Sequence, residues 1–119
     1  MFNPFRWFKR KDRLFGAVRS PKWKRFAKDY LSAHPTCEMT GTTKKVRPHH
    51  ILPVHLYPEL ELDPENVMSL SDAKIGGVKP HLFCGHLGFF GAYNPNVRED
   101  AQIWLKKIKE RPYTKVDIK

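Results

Sequence analysis

Six histidines occur in a chain of 119 residues, and four fall in two tight groups, the adjacent His49-His50 and the pair His81 and His86. Neutral imidazole binds divalent metals and accepts protons near neutral pH, so neighbouring rings can divide those two tasks. Phosphodiester hydrolysis needs both: a cation to offset charge developing on the phosphate and leaving oxygen, and a base to take a proton from the attacking water. Taken alone, a His-His pair reads as a surface strand with one ring turned in and one out. His86 also reads as a half-buried ring packed on Phe89 or Phe90. His34 and His55 carry only the structural reading, with His55 close enough to His50 to sit at the rim of any site.

Elements must bring these groups together. Ser20-Pro21 supplies a helix start, with Ser20 as N-cap and Pro21 at the first helical position. Trp23, Phe26, Ala27, Tyr30 and Leu31 then recur at helical spacing, and His34-Pro35 ends the run. Gly41 to Lys45 reads as a turn, Val46 to Leu52 as a short strand and Asn66 to Leu70 as a second. Between them Pro53, Pro58 and Pro64 exclude regular structure, so 53–65 reads as a packed loop held by Leu56, Leu60 and Leu62. Residues 71–80, with Gly76-Gly77, read as a connection and 81–92 as a glycine-weakened helix. Asn96 as N-cap, with Glu99 three residues on, opens a last helix. Its stripe of Ala101, Trp104, Leu105 and Ile108 reads as core, and Pro112 stops it.

The length suits one domain. The formal net charge is +10 and the pI near 9.8, which favours polyanionic partners, nucleic acid foremost. Residues 1–28 carry ten Lys/Arg against Asp12 alone, so they hold +9 of that +10. Candidate nucleic-acid contacts are therefore Arg6, Lys9, Arg10, Lys11, Arg13, Arg19, Lys22, Lys24 and Arg25. The interleaved Phe2, Phe5, Trp7 and Phe8 fit the same role, or a core, an interface or a membrane surface. Cys37 and Cys84 form no C-x-x-C pair, which points to buried thiols and a reducing compartment. No stretch has the length of a membrane span or an uninterrupted signal-peptide core, so cytoplasmic residence is expected, that of the host cell if the chain is phage-encoded.

Val46-Arg-Pro-His49-His50-Ile-Leu-Pro53, followed by Asn66-Val-Met-Ser-Leu70 and then His81, resembles the three-part signature of HNH endonucleases, the His-metal (ββα) finger superfamily. The chain is closer still to the phage-associated HNH proteins. That likeness lies in Arg19-Ser-Pro-Lys-Trp23, His34-Pro-Thr-Cys37, Pro58-Glu-Leu-Glu-Leu-Asp63, His81-Leu-Phe-Cys-Gly-His86 and Asn94-Pro-Asn-Val97. The resemblance spans roughly residues 19 to 101 and implies an α+β fold, a small ββα-metal core with flanking N- and C-terminal helices. The expected division is a basic, aromatic arm over 1–18, the nuclease domain over 19–111 and a tail over 112–119. By similarity, His49 ligates a single divalent cation (Mg, Mn, Zn or Ni), His81 and His86 supply the remaining ligands, and His50 is the general base. Asn66 holds the intervening loop by backbone hydrogen bonds and so orients His50.

Two points depart from the family pattern. Members with a structural zinc carry a C-x-x-C pair before the histidines, whereas here Cys37 is followed by Thr40, so no structural zinc is expected. On a regular helix His81 and His86 would lie about 140° apart, since each residue turns about 100°, so both reach one ion only if His81 sits at or before the first turn. The expected function is metal-assisted DNA hydrolysis, with phage DNA processing or packaging as a setting and a homodimer or packaging protein as a partner. The alternative is a non-catalytic, metal-stabilised DNA-binding or assembly protein.

Overall fold

The computed structural model describes residues 19–111. The 1–18 arm, with Arg6, Lys9, Arg10, Lys11 and Arg13, and the 112–119 tail with Pro112 lie outside the described residues. Helix α1 (Trp23–Ala33) leads into a two-stranded antiparallel sheet of β1 (Val46–His50) and β2 (Val67–Ser71). Two single-turn 3-10 segments, Pro58–Leu60 and Pro64–Asn66, stiffen the loop between the strands. A wide π-type turn (His81–Gly85) and helix α2 (Val97–Glu110) complete a small α+β fold.

The α1 stripe forms the expected helix, but it begins two residues later. Ser20 caps the turn before it instead: its hydroxyl accepts from the Lys22 amide (3.1 Å) and its carbonyl from the Trp23 amide (3.0 Å). At the far end, the His34 amide donates to the Tyr30 carbonyl (2.8 Å).

Register decides which face each strand residue occupies. His49 pairs with Met68 and His50 with Val67, and residues opposed across an antiparallel ladder project to the same face. His49 therefore shares a face with Met68 and Leu70, and His50 shares the other with Val67 and Ser69. The first face carries the core, where Met68 and Leu70 pack with Cys37, Met39, Cys84, Val97 and Ala101. α1 covers the second, with the Tyr30 hydroxyl donating to the Val67 carbonyl (2.8 Å). With both faces covered, every residue of β2 is buried. Pro48, which has no amide hydrogen, is tolerated because β1 has only one neighbour.

Four expectations are corrected. The helix expected over 81–92 is only the five-residue turn, followed by Leu87 (φ 53°) and Gly88 (φ 85°) in the left-handed region that ends helices. Asn96 stands at the α2 N-cap, but its side chain makes no capping bond. Asn94 does the joining: its Nδ2 donates to the Cys84 carbonyl (3.1 Å) and to Asp100 Oδ2 (2.7 Å), and its Oδ1 accepts from the Asn96 amide (3.0 Å). Leu56 is 54% exposed and does not hold the loop, which is fastened by polar bonds described below. Trp104 is 39% exposed with its edge against Phe83, so only Ala101 of its stripe is fully buried.

Asn94 thus ties the π-type turn to α2. Asn94→Ala, which strands a buried carbonyl and a carboxylate, is expected to cost about 1–3 kcal/mol in urea denaturation. A change within error would mean that solvent satisfies both groups.

Candidate metal centre

His49, His81 and His86 converge on one point, with one ring nitrogen from each within 4.8 Å of the others. His81 Nε2 lies 3.1 Å from His49 Nδ1 and 3.2 Å from His86 Nε2. His49 reaches the cluster from the end of β1, where it is 2% exposed. The other two come from either end of the π-type turn. In such a turn a residue and its fifth successor are bridged, so His81 and His86 meet without the displacement that a regular helix would impose. The turn can lie this close because residue 85 is glycine: a Cβ there would stand 2.9 Å from His49 Cε1.

The proton positions follow from the outer partners. His81 Nδ1 lies 2.9 Å from Asp72 Oδ1, and His86 Nδ1 lies 2.9 Å from the Ala92 carbonyl. Both oxygens only accept, so each Nδ1 carries the hydrogen, and in the neutral rings each Nε2 presents a lone pair to the cluster. Two lone pairs 3.2 Å apart repel, and no hydrogen bond can join them. His49 Nε2 is buried without a hydrogen-bond partner among the described residues. The arrangement fits a divalent cation: nitrogens bound at about 2.0–2.1 Å in a tetrahedron stand roughly 3.3 Å apart, and three histidines leave a position open, as catalytic zinc sites do. Among the described residues these three form a group able to hold a metal ion.

His50 stands apart from the cluster. It faces α1, with the Trp23 ring tilted against it at 4.6 Å between ring centroids, and its Nε2 lies 2.8 Å from the Glu61 carbonyl. That carbonyl can only accept, so Nε2 carries the hydrogen and Nδ1 is the nitrogen able to take a proton. Asn66, 6% exposed, fastens the connecting loop. Its Oδ1 accepts from the Leu52 amide (2.9 Å), and its Nδ2 donates to the carbonyls of Leu52 (3.0 Å) and Leu60 (3.4 Å). The residue stands just before β2, and its backbone carbonyl extends the ladder by accepting from the Ile51 amide (2.9 Å). It thereby fixes the loop that brings the Glu61 carbonyl to His50.

His49, His50 and His86 line one cleft of about 480 Å³ with His55 and Arg19. Arg19 lies over Trp23, 5.4 Å from the ring centroid, and the Ser20 amide donates to Glu61 Oε2 (2.8 Å), pinning this segment beside His50. Burial lowers the Arg19 pKa, with the Glu61 carboxylate opposing. Lys22, Lys24 and Arg25 are exposed and do not line this cleft. Arg25 pairs with Asp29 at 3.2 Å, where both side chains are mostly solvated. His34 stacks on Tyr30 away from the cluster, and Cys37 and Cys84 are buried free thiols, Cys84 pushed up to about 11 by burial. Sequence reasoning missed Asp72, Gly85, Glu61 and Trp23. No spacing rule links a carboxylate to a histidine nine residues on, and Gly85 read merely as a weak helix position.

No helix among the described residues is long and apolar enough to cross a membrane. Comparison of the chain with models of protein families, with curated proteins and with solved structures gives no match.

Burial and the neighbouring rings push His49 well below the ordinary histidine value, and burial lowers His86 and His50. A histidine depressed in the fold binds its proton more readily once unfolded, so its contribution is complete above about pH 6.5 and is lost as pH falls through the folded value. Metal-free protein in chelator is therefore expected to lose stability steadily below about pH 6.5 in urea titrations, and zinc should raise its midpoint at neutral pH. Stability rising on acidification would contradict this. Asp72→Asn, which removes the carboxylate orienting His81, is expected to weaken zinc binding about 10–100-fold by competition titration. Unchanged affinity would exclude that orienting role.

Proposed function

We propose that this chain is a metal-dependent endonuclease of the HNH kind that hydrolyses phosphodiester bonds in DNA, with the two strands and the π-type turn as a ββα-metal core. The observation that carries the reading is the separation of two histidine environments at one cleft. Three rings present nitrogens to a common point, while His50, held by the Glu61 carbonyl, keeps Nδ1 for a proton. A protein that needed metal only to hold its fold would have no use for His50 poised in this way.

His49, His81 and His86 would hold the cation. When bound, it supplies positive charge against a phosphate oxygen and the leaving oxygen. The rest is done by the chain. His50 takes a proton from water at Nδ1 while Nε2–H stays on the Glu61 carbonyl, which steadies the ring as charge develops. Trp23 fixes the ring plane, and Asn66 keeps the loop from withdrawing that carbonyl. Arg19, which lines the same cleft, offers a guanidinium to the phosphate. An all-imidazole set favours zinc or nickel for tight binding, whereas magnesium and manganese prefer more oxygen, so the tightest ion and the most active ion need not coincide.

Plasmid cleavage with magnesium, manganese, zinc and nickel tests the reading. His50→Ala is expected to lower the rate about 10²–10⁴-fold, the worth of a general base, while zinc binding persists. Undiminished cleavage would remove His50 from the mechanism. Because burial lowers the His50 pKa, the acid limb of the rate profile is expected below about pH 6.5, the unperturbed histidine value. A profile flat down to about pH 4 would contradict a histidine base.

A further inference from the structure

Two phenylalanines stand exposed on the cleft that holds the histidines, Phe89 at 69% and Phe90 at 62%. Adjacent exposed rings at the rim of a cleft with polar and cationic lining mark a binding groove more often than scattered surface hydrophobics do. Phe89 is also held in place. The left-handed pair Leu87-Gly88 turns the chain back so that the Phe89 amide donates to the His86 carbonyl (3.0 Å), and its own carbonyl accepts from the Ala92 amide (2.8 Å). Its ring rests on the backbone of Gly91, where an added Cβ would stand 2.5 Å from Phe89 Cε2. One side is thus seated on glycine, and the side chain remains open to the cleft. Phe90 leans on the rings of His86 (4.9 Å) and His81 (5.9 Å).

The cleft therefore combines groups suited to phosphate with flat apolar groups suited to a base. In a duplex the base faces are hidden in the stack and only edges and backbone are offered, whereas an unpaired base has a free face that stacks on aromatic rings. We propose that Phe89, with Phe90 beside it, is a stacking platform for an unpaired base next to the cleaved phosphate, making single-stranded DNA segments the preferred substrate. This rests on the nuclease reading above for the position of the phosphate, but the platform itself is measured by binding.

The test is fluorescence anisotropy of the zinc-loaded full chain in the His50→Ala background, which keeps the metal site while suppressing cleavage, with labelled oligothymidine of about 20 nucleotides and a duplex of equal length at matched salt. Phe89→Ala is expected to weaken single-strand binding at least about fivefold, the low end of one stacked base, with duplex binding altered less than about twofold. Phe89→Tyr, which keeps the ring, should retain the affinity, and Phe89→Leu, which is apolar without a ring, should not. Zinc binding unchanged in all three verifies an intact fold. Equal losses on both DNAs, no loss on either, or rescue by leucine would overturn the platform. So would a dimer, seen by sedimentation, that Phe89→Ala dissolves while single-strand binding stays intact. If the parent cuts no substrate yet the single-strand effect appears, the nuclease reading fails and the platform stands. If the parent cuts and the Phe89 variants bind single strands normally, the reverse holds.

Discussion

Three imidazole nitrogens meet at a place where the neutral rings cannot all satisfy one another, and the rest of this small protein is arranged around that meeting. Asp72 and the Ala92 carbonyl each take the Nδ1 hydrogen of a ring, which turns two Nε2 lone pairs toward each other at 3.2 Å. His49 adds a third ring that is 2% exposed, with one nitrogen lacking any partner among the described residues. Without a cation such a cluster is a source of instability, since His49 is almost wholly buried and the neighbouring rings disfavour its protonation. With a cation it becomes a fastener between the sheet and the π-type turn. Binding of a cation there would be linked to folding, because the three ligands come from the sheet and from the π-type turn.

The alternation of a β-strand does the next part of the work. Adjacent residues point to opposite faces, so His49 enters the core against Gly85 while His50 turns to Trp23 and the Glu61 carbonyl. One dipeptide at a strand end thus presents two chemically different imidazoles to one cleft. His49 is dry and surrounded by like rings. His50 is held by a backbone oxygen that fixes its tautomer. Asn66 maintains the difference, because its bonds to Leu52 and Leu60 set the path of the loop carrying Glu61.

Much of this was legible in the sequence wherever local chemistry decides the outcome. The Trp23 to Leu31 stripe gives α1, the prolines between the strands keep that stretch to a loop, although two of them open single 3-10 turns, and the two apolar runs pair as strands. The three clustered histidines are among the four that their grouping singled out, and they are the ones the HNH resemblance implies as ligands. What escaped depends on contacts between distant segments. A glycine that weakens a helix on paper is here the residue that allows a ring to approach, and the five-residue separation of His81 and His86 is accommodated by a turn type that propensity does not foresee. Asp72, nine residues before His81, carries no signal in one dimension. Asn94 rather than Asn96 links to α2 because its partners, Cys84 and Asp100, are gathered only by the fold.

The account turns on where a metal binds and which histidine stays off it. Anomalous diffraction at the zinc edge, from crystals of the full chain grown with one equivalent of zinc, addresses both at once. The expected result is a single strong site bonded by His49, His81 and His86, with His50 still on the Glu61 carbonyl. Zinc bound by His50, zinc on other residues, or no ordered zinc at that stoichiometry would contradict it.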